Sequence, residues 1–76
     1  MINKKLKLIF SKVLKVSQED INNQTSPNNC SNWDSFSMLI LVIEIEEKFN
    51  IKLDSDEVVS IKNFGDVLNL IEQKTA

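Results

Sequence analysis

With 76 residues, the chain has room for one small domain, and its 42% apolar and 26% charged residues are typical of a folded protein rather than a disordered chain. The single cysteine, Cys30, excludes an intrachain disulfide, and the absence of histidine excludes Ser–His catalysis and metal sites built on histidine. Residues 1–15 hold five lysines and no acid, whereas residues 16–76 hold four lysines and eleven acids. The acidic main body therefore favours basic partners and disfavours nucleic acid.

A first helix is predicted over about residues 2–15. Its apolar residues recur at the spacing of one helical face, and lysines occupy the opposite face. The apolar positions are Ile2, Leu6, Ile9, Phe10, Val13 and Leu14. We interpret the lysines as a solvated face rather than a membrane- or RNA-binding site, because no aromatic residues alternate with them on that face.

Neither a targeting segment nor a membrane-spanning helix is predicted. Lysines interrupt the apolar residues at the start of the chain, so no signal-peptide hydrophobic region forms. The longest apolar run, Met38 to Ile43, has six residues, whereas a spanning helix needs about 20. These features, together with the lone cysteine, predict a cytoplasmic protein without stable membrane insertion.

Residues 16–33 predict a long loop, because they are rich in Asn, Ser and Gln, contain the only proline and show no apolar periodicity. Loops of this length in small domains are usually functional or packed over the core by their own apolar residues. Ile21 and Trp33 are the candidate anchors. Cys30, in the same loop, is interpreted as a free thiol without a catalytic role.

Three further helices are predicted after the loop, over about residues 35–50, 55–60 and 63–74. Either Asp34 or Ser35 is able to cap the second helix, and Asn50 is a plausible stop. Asp54 and Glu57 form a capping-box pattern before the short third helix. No segment predicts a strand long enough for a sheet. The expected fold is all-α: a four-helix bundle with three main helices and a short third, in one domain of residues 1–76.

The second helix carries two apolar faces at the 100° spacing of helical residues. The expected core stripe consists of Met38, Leu41, Val42, Ile45 and Phe49. The opposite face consists of Phe36, Leu39, Ile40 and Ile43, with Glu47 closing it and Glu46 at its edge. Two interpretations remain open: the helix is buried on both sides, or the second face is an exposed docking surface rimmed by carboxylates.

The whole chain resembles the acyl carrier protein family. The motif is Asp34-Ser35-Phe36 at the start of an acidic and apolar helix, followed by IEIEEKFNIKL and, near the end, NFGDVLNLI. The resemblance implies a non-catalytic carrier with 4′-phosphopantetheine, derived from coenzyme A, on Ser35, and Asp34 as its motif neighbour. Acyl groups would be held as thioesters on that arm. It also implies docking contacts at Phe36, Leu39, Ile40, Ile43, Glu46 and Glu47.

The implied partners are a phosphopantetheinyl transferase and acyl-activating, transferring or condensing enzymes, which a monomeric carrier would meet in turn. Ser37 and Ile40 depart from the acidic pattern of fatty-acid carriers. With Trp33 and the basic first helix, they favour a specialised, free-standing carrier over one for housekeeping fatty-acid synthesis.

Two alternatives remain open. One is a carrier of amino acids, of the D-alanyl type, or of peptides. The other is a small helical interaction module in which Ser35 is only a helix cap. An enzyme is not expected, since Glu46 and Glu47 point in different directions on a helix and form no catalytic pair.

Overall fold

The computed structural model describes residues 2–75 of the chain. It contains four α-helices: α1 is Ile2–Leu14, α2 is Ser35–Phe49, α3 is Ser55–Val59 and α4 is Phe64–Thr75. A single 3₁₀ turn, Gln18–Asp20, interrupts the long loop, and the described residues contain no strand. The predicted all-α bundle with a short third helix is confirmed. The first three helices each end one residue earlier than predicted, and the last begins and ends one residue later.

The core lies where α1 meets α2 and α4, and its centre is aromatic. The Phe10 ring stands edge-on to Trp33, with ring centroids 5.1 Å apart, and edge-on to Phe64, with centroids 5.0 Å apart. Such perpendicular pairs add to the stabilisation that burial of the rings already supplies. The other buried apolar side chains are Leu6, Ile9, Leu14, Ile21, Leu41, Ile45, Val67, Leu68 and Ile71.

The long loop is held to this core, as predicted, by its two apolar anchors. Ile21 is 2% exposed and Trp33 is 3% exposed. Near its end, the side-chain amide of Asn32 donates to the Leu14 carbonyl at 2.8 Å, so that one of the unpaired carbonyls at the end of α1 finds a partner.

The middle of the same loop lies against the start of α4. The Phe64 N–H donates to the Thr25 carbonyl at 2.8 Å, and the Gly65 N–H donates to the Asn23 carbonyl at 3.2 Å. The loop backbone thus satisfies N–H groups that the first turn of a helix leaves unpaired. A side chain at Gly65 would place its Cβ 3.2 Å from the Asn23 carbonyl oxygen, so this close approach favours glycine.

Helices α1 and α2 both end at residues in the left-handed conformation. Asn50 has φ 54°, and its N–H donates to the Glu46 carbonyl, which confirms it as the predicted stop. Lys15 has φ 58°, a conformation that costs a lysine more than an asparagine. The sequence gave no sign that a lysine would end α1 in this way.

Helix α3 is the least embedded element, since it contributes no buried residue. The predicted capping box is present: the Glu57 N–H donates to Asp54 Oδ1 at 2.9 Å, and the Asp54 N–H donates to Glu57 Oε1 at 3.0 Å. The Lys74 ammonium of α4 lies 2.9 Å from Glu57 Oε2. None of the helices within residues 2–75 is both long and apolar enough to cross a bilayer.

Candidate functional site

Two reciprocal hydrogen bonds close the N-terminus of α2. The Ser37 N–H donates to Asp34 Oδ1 at 2.9 Å, and the Asp34 N–H donates to the Ser37 hydroxyl oxygen at 2.9 Å. Asp34 has extended backbone angles, as a residue just before a helix does. Asp34 is therefore the N-cap of α2, and Ser37 completes a capping box.

Ser35 is the first residue inside α2, and its side chain is exposed. Its hydroxyl takes part in none of the side-chain hydrogen bonds found within residues 2–75. The interpretation of Ser35 as only a helix cap is therefore wrong, because the Asp34 carboxylate makes the cap contact. Ser35 presents an accessible nucleophilic oxygen at a helix N-terminus, where unpaired N–H groups and the helix dipole favour an anion such as a phosphate.

The carboxyl group beside Ser35 is held in its ionised form. The backbone hydrogen bond from Ser37 lowers the pKa of Asp34 below its usual value of 3.8, and the Ser37 side chain lowers it further. A small effect of burial opposes them without reversing the direction. Asp34 thus carries a negative charge next to the Ser35 hydroxyl throughout the neutral range.

An open cleft of about 340 Å³ adjoins Ser35, between α2, α3 and the end of the long loop. Its lining residues are Pro27, Trp33, Asp34, Ser35, Met38, Val58 and Ile61. The Trp33 indole N–H donates to the Met38 sulfur at 3.3 Å, which fixes the cleft wall and leaves its surface apolar. An open, mainly apolar cleft next to an exposed hydroxyl is able to accept a flexible arm and part of an attached group.

The predicted second face of α2 is largely exposed. Phe36, Leu39 and Ile43 are 73%, 64% and 56% exposed, whereas Ile40 is half-buried toward α1. On the opposite side, Leu41 and Ile45 are fully buried, and the remaining predicted core residues, Met38, Val42 and Phe49, are half-buried. The interpretation in which α2 is covered on both sides is therefore wrong for most of the second face.

The carboxylates near this face differ in their contacts. Glu44 Oε1 lies 2.9 Å from the Lys12 ammonium of α1. Glu46 is half-buried, and its Oε2 accepts from the Leu53 N–H at 2.9 Å, which holds the chain after α2 against the helix. Glu47 is exposed and takes part in no side-chain hydrogen bond or ion pair found within residues 2–75.

Sequence reasoning did not find Ser37 or the cleft. Ser37 was noted only as a departure from an acidic pattern, although a residue able to reach back three positions after Asp34 is a capping-box signal. Pro27, Val58 and Ile61 are far apart in sequence, and only the packing of α3 against the loop brings them together. No local pattern could have placed them beside Ser35.

Comparison with known proteins agrees with this geometry. The family model described as "Phosphopantetheine attachment site" matches residues 4–71. The chain belongs to the acyl carrier protein family. It is 31% identical to an acyl carrier protein of Acidothermus cellulolyticus over 67 residues, which cover 88% of this chain and 80% of that protein.

Other members of the family give the same result. An acyl carrier protein of Thermotoga maritima is 29% identical over 70 residues, 92% of this chain and 86% of that protein. The solution NMR structure of a holo acyl carrier protein from Geobacter metallireducens has a TM-score of 0.85 and 30% sequence identity, and the match covers 95% of this chain and 83% of that one.

Family membership establishes the general role of the chain. It is a non-catalytic acyl carrier whose prosthetic group is 4′-phosphopantetheine. Proteins of this family generally interact with a phosphopantetheinyl transferase and with biosynthetic enzymes. The geometry at the start of α2 fits such a group, since it combines an exposed hydroxyl, a helix N-terminus and an adjoining apolar cleft.

Proposed function

We propose that residues 1–76 form a single carrier domain and that Ser35 is the residue to which phosphopantetheine is attached. The observation that carries this proposal is the exposed Ser35 hydroxyl at the first position of α2, with the capping contacts made by Asp34 and Ser37 instead. A modification of Ser35 therefore disrupts no cap and leaves the helix intact. The terminal thiol of the arm holds acyl groups as thioesters.

The residues around Ser35 contribute to this role in different ways. The N-terminus of α2 stabilises the phosphate charge through its N–H groups and dipole. The apolar cleft bounded by Trp33 and Met38 shelters the arm and the start of its cargo. Tethering then raises the effective concentration of the acyl group at any enzyme to which the carrier docks.

Docking is proposed for the second face of α2. Its residues are Phe36, Leu39, Ile40, Ile43, Glu46 and Glu47. The exposure of three of the four apolar side chains supports this assignment, since contiguous exposed apolar residues mark interaction sites. Glu46 contributes from the edge, because its hydrogen bond to Leu53 leaves it half-buried. Glu47 is the exposed carboxylate of the set.

The proposed pathway is a specialised acyl biosynthesis rather than housekeeping fatty-acid synthesis. Support comes from the start of α2, where residues 35–43 carry no charge at all. A short acyl cargo is favoured, because the core side chains Phe10, Leu41 and Phe64 are fully buried and a long chain could enter between the helices only by parting them. The chain is proposed to act as a cytoplasmic monomer that meets its transferase and acyl-handling enzymes in turn.

The proposal is tested by intact-mass measurement after incubation with coenzyme A and a broad-specificity phosphopantetheinyl transferase. We expect a gain of one phosphopantetheine on the wild-type protein and on Ser37→Ala, and no gain on Ser35→Ala. Ser37→Ala is the matched control, because it removes a nearby hydroxyl without removing the proposed attachment point. Failure of several transferases to modify the wild-type protein, or persistent modification of Ser35→Ala, would overturn the assignment.

A further inference from the structure

The exposed apolar residues of α2 form one line that begins beside Ser35. Phe36, Leu39 and Ile43, here called the docking strip, are separated by three and four positions and so lie on the same side of the helix. They are 73%, 64% and 56% exposed. No charged residue occurs between Ser35 and Ile43, so the first two turns of this surface are uncharged.

The carboxylates that border the docking strip are already engaged within the protein. By helical spacing, Glu44 lies on one side of the strip and Glu46 on the other. Glu44 is 2.9 Å from the Lys12 ammonium, and Glu46 accepts a 2.9 Å hydrogen bond from the Leu53 N–H. At the beginning of α2, the Asp34 carboxylate accepts from the Ser37 N–H. Glu47 alone lies in line with the strip without such a contact within residues 2–75.

These contacts determine which kind of partner surface complements the docking strip. An acidic group that is paired with a lysine attracts a second cation weakly, because the pair has no net charge at a distance. Charge steering toward a basic patch would therefore depend mainly on Glu47. Burial of three apolar side chains provides the main attraction instead.

The size of the strip distinguishes a docking enzyme from a second copy of this chain. Even at about 200 Å² for each large side chain, three side chains bury less than the roughly 800 Å² per partner of a standard stable interface. A small contact suits an encounter that forms and dissolves at each step. The occupant is therefore an enzyme that docks transiently rather than a permanent dimer partner.

We infer that this carrier docks to enzymes through an apolar groove bearing at most an isolated basic side chain, rather than through a basic patch. The inference rests on the proposed function, since it concerns recognition at the site that surrounds Ser35. It specifies the chemistry of the partner surface: aliphatic or aromatic side chains facing Phe36, Leu39 and Ile43, with one cation near Glu47.

Salt dependence tests this inference directly. The probe is the transfer of phosphopantetheine to the wild-type carrier by a broad-specificity transferase, measured as kcat/KM from low to high sodium chloride concentration. Apolar docking predicts a fall of less than about threefold, because salt screens charges and leaves apolar burial intact. A larger fall would overturn the inference while leaving the proposed function intact, whereas absence of transfer at every salt concentration would overturn the proposed function itself.

Matched variants test the same point without a change of solvent. Leu39→Ala should lower kcat/KM about fivefold or more, as expected for an anchor residue at an interface, and Glu47→Gln should lower it less than about twofold, as for a rim charge. Leu8→Ala, an exposed leucine on α1, should leave the rate unchanged. A larger effect of Glu47→Gln than of Leu39→Ala would contradict the inference. Self-association of the wild-type protein that Leu39→Ala abolishes would contradict it as well.

Discussion

The Asp34 carboxylate accepts a hydrogen bond from the Ser37 N–H, and the Ser37 hydroxyl accepts one from the Asp34 N–H, both at 2.9 Å. These two residues flank Ser35–Phe36 and close the first turn of α2 without using the Ser35 side chain. The hydroxyl that lies between them remains exposed. Structural and chemical roles are thus assigned to different residues within one helical turn.

Ser35→Ala and Ser37→Ala should differ in stability. Ser35→Ala should change the free energy of unfolding by less than about 0.5 kcal/mol, because an exposed side chain without a hydrogen bond is lost. Ser37→Ala should cost about 1 kcal/mol, because it removes half of the capping box and leaves the Asp34 N–H without that partner. Urea unfolding followed by circular dichroism measures both. The reverse order would show that Ser35 is the structural residue.

Acid should weaken the α2 cap in a defined direction. The pKa of Asp34 is lowered in the folded protein from its usual 3.8, chiefly by the Ser37 backbone hydrogen bond. The stability that this contact supplies is therefore fully present above pH 3.8 and is lost as the pH falls through the lowered pKa. Asp34→Asn should flatten that part of the curve of unfolding free energy against pH. An unchanged acid limb in Asp34→Asn would remove Asp34 from this account.

The left-handed residue at the end of α1 predicts a stabilising substitution. Lys15→Gly should raise the free energy of unfolding by about 0.5 to 1 kcal/mol, because glycine adopts φ 58° without the steric cost that a side chain incurs. Asn50→Gly is the matched control at φ 54°, where asparagine already tolerates the conformation and a smaller gain is expected. Thermal unfolding distinguishes the two. Equal or opposite effects would contradict the assignment of strain to Lys15.

The aromatic centre of the core predicts a large effect at one phenylalanine. Phe10→Ala should cost about 3 to 5 kcal/mol, because Phe10 is fully buried and stands edge-on to both Trp33 and Phe64. Leu8→Ala, two positions away on the exposed side of α1, should cost less than about 0.5 kcal/mol. Denaturant unfolding at equilibrium gives both values. Comparable costs would mean that α1 is oriented differently on the core.

The helices and the loop anchors could be predicted from the sequence, since both depend on local patterns. Periodicity at residues 2–15 and 64–75 requires one buried stripe, and Ile21 and Trp33 are the large apolar residues available in a polar loop. The exposure of Leu39 could not be predicted in the same way. Periodicity gives the direction in which a side chain points but not whether another element covers it.

The site was predictable in part for the same reason. Asp34 and Ser35 are both competent caps, and the choice between them depends on the backbone conformation just before α2. The engagement of Glu46 depends on the left-handed turn at Asn50, which brings the Leu53 N–H back to the helix. The cleft depends on α3, whose position relative to the loop follows from contacts between distant segments. Such relationships are set by tertiary packing, and no local sequence pattern carries them.

The most direct test of the central claim is to locate the arm on the loaded protein by fragmentation mass spectrometry of the peptide that contains residues 31–38. That peptide offers Ser31, Ser35 and Ser37 as candidate sites. The account predicts that the whole mass of phosphopantetheine resides on Ser35, whose hydroxyl is exposed and free of capping contacts. Phosphopantetheine on Ser31 or Ser37, with Ser35 unmodified, would contradict it.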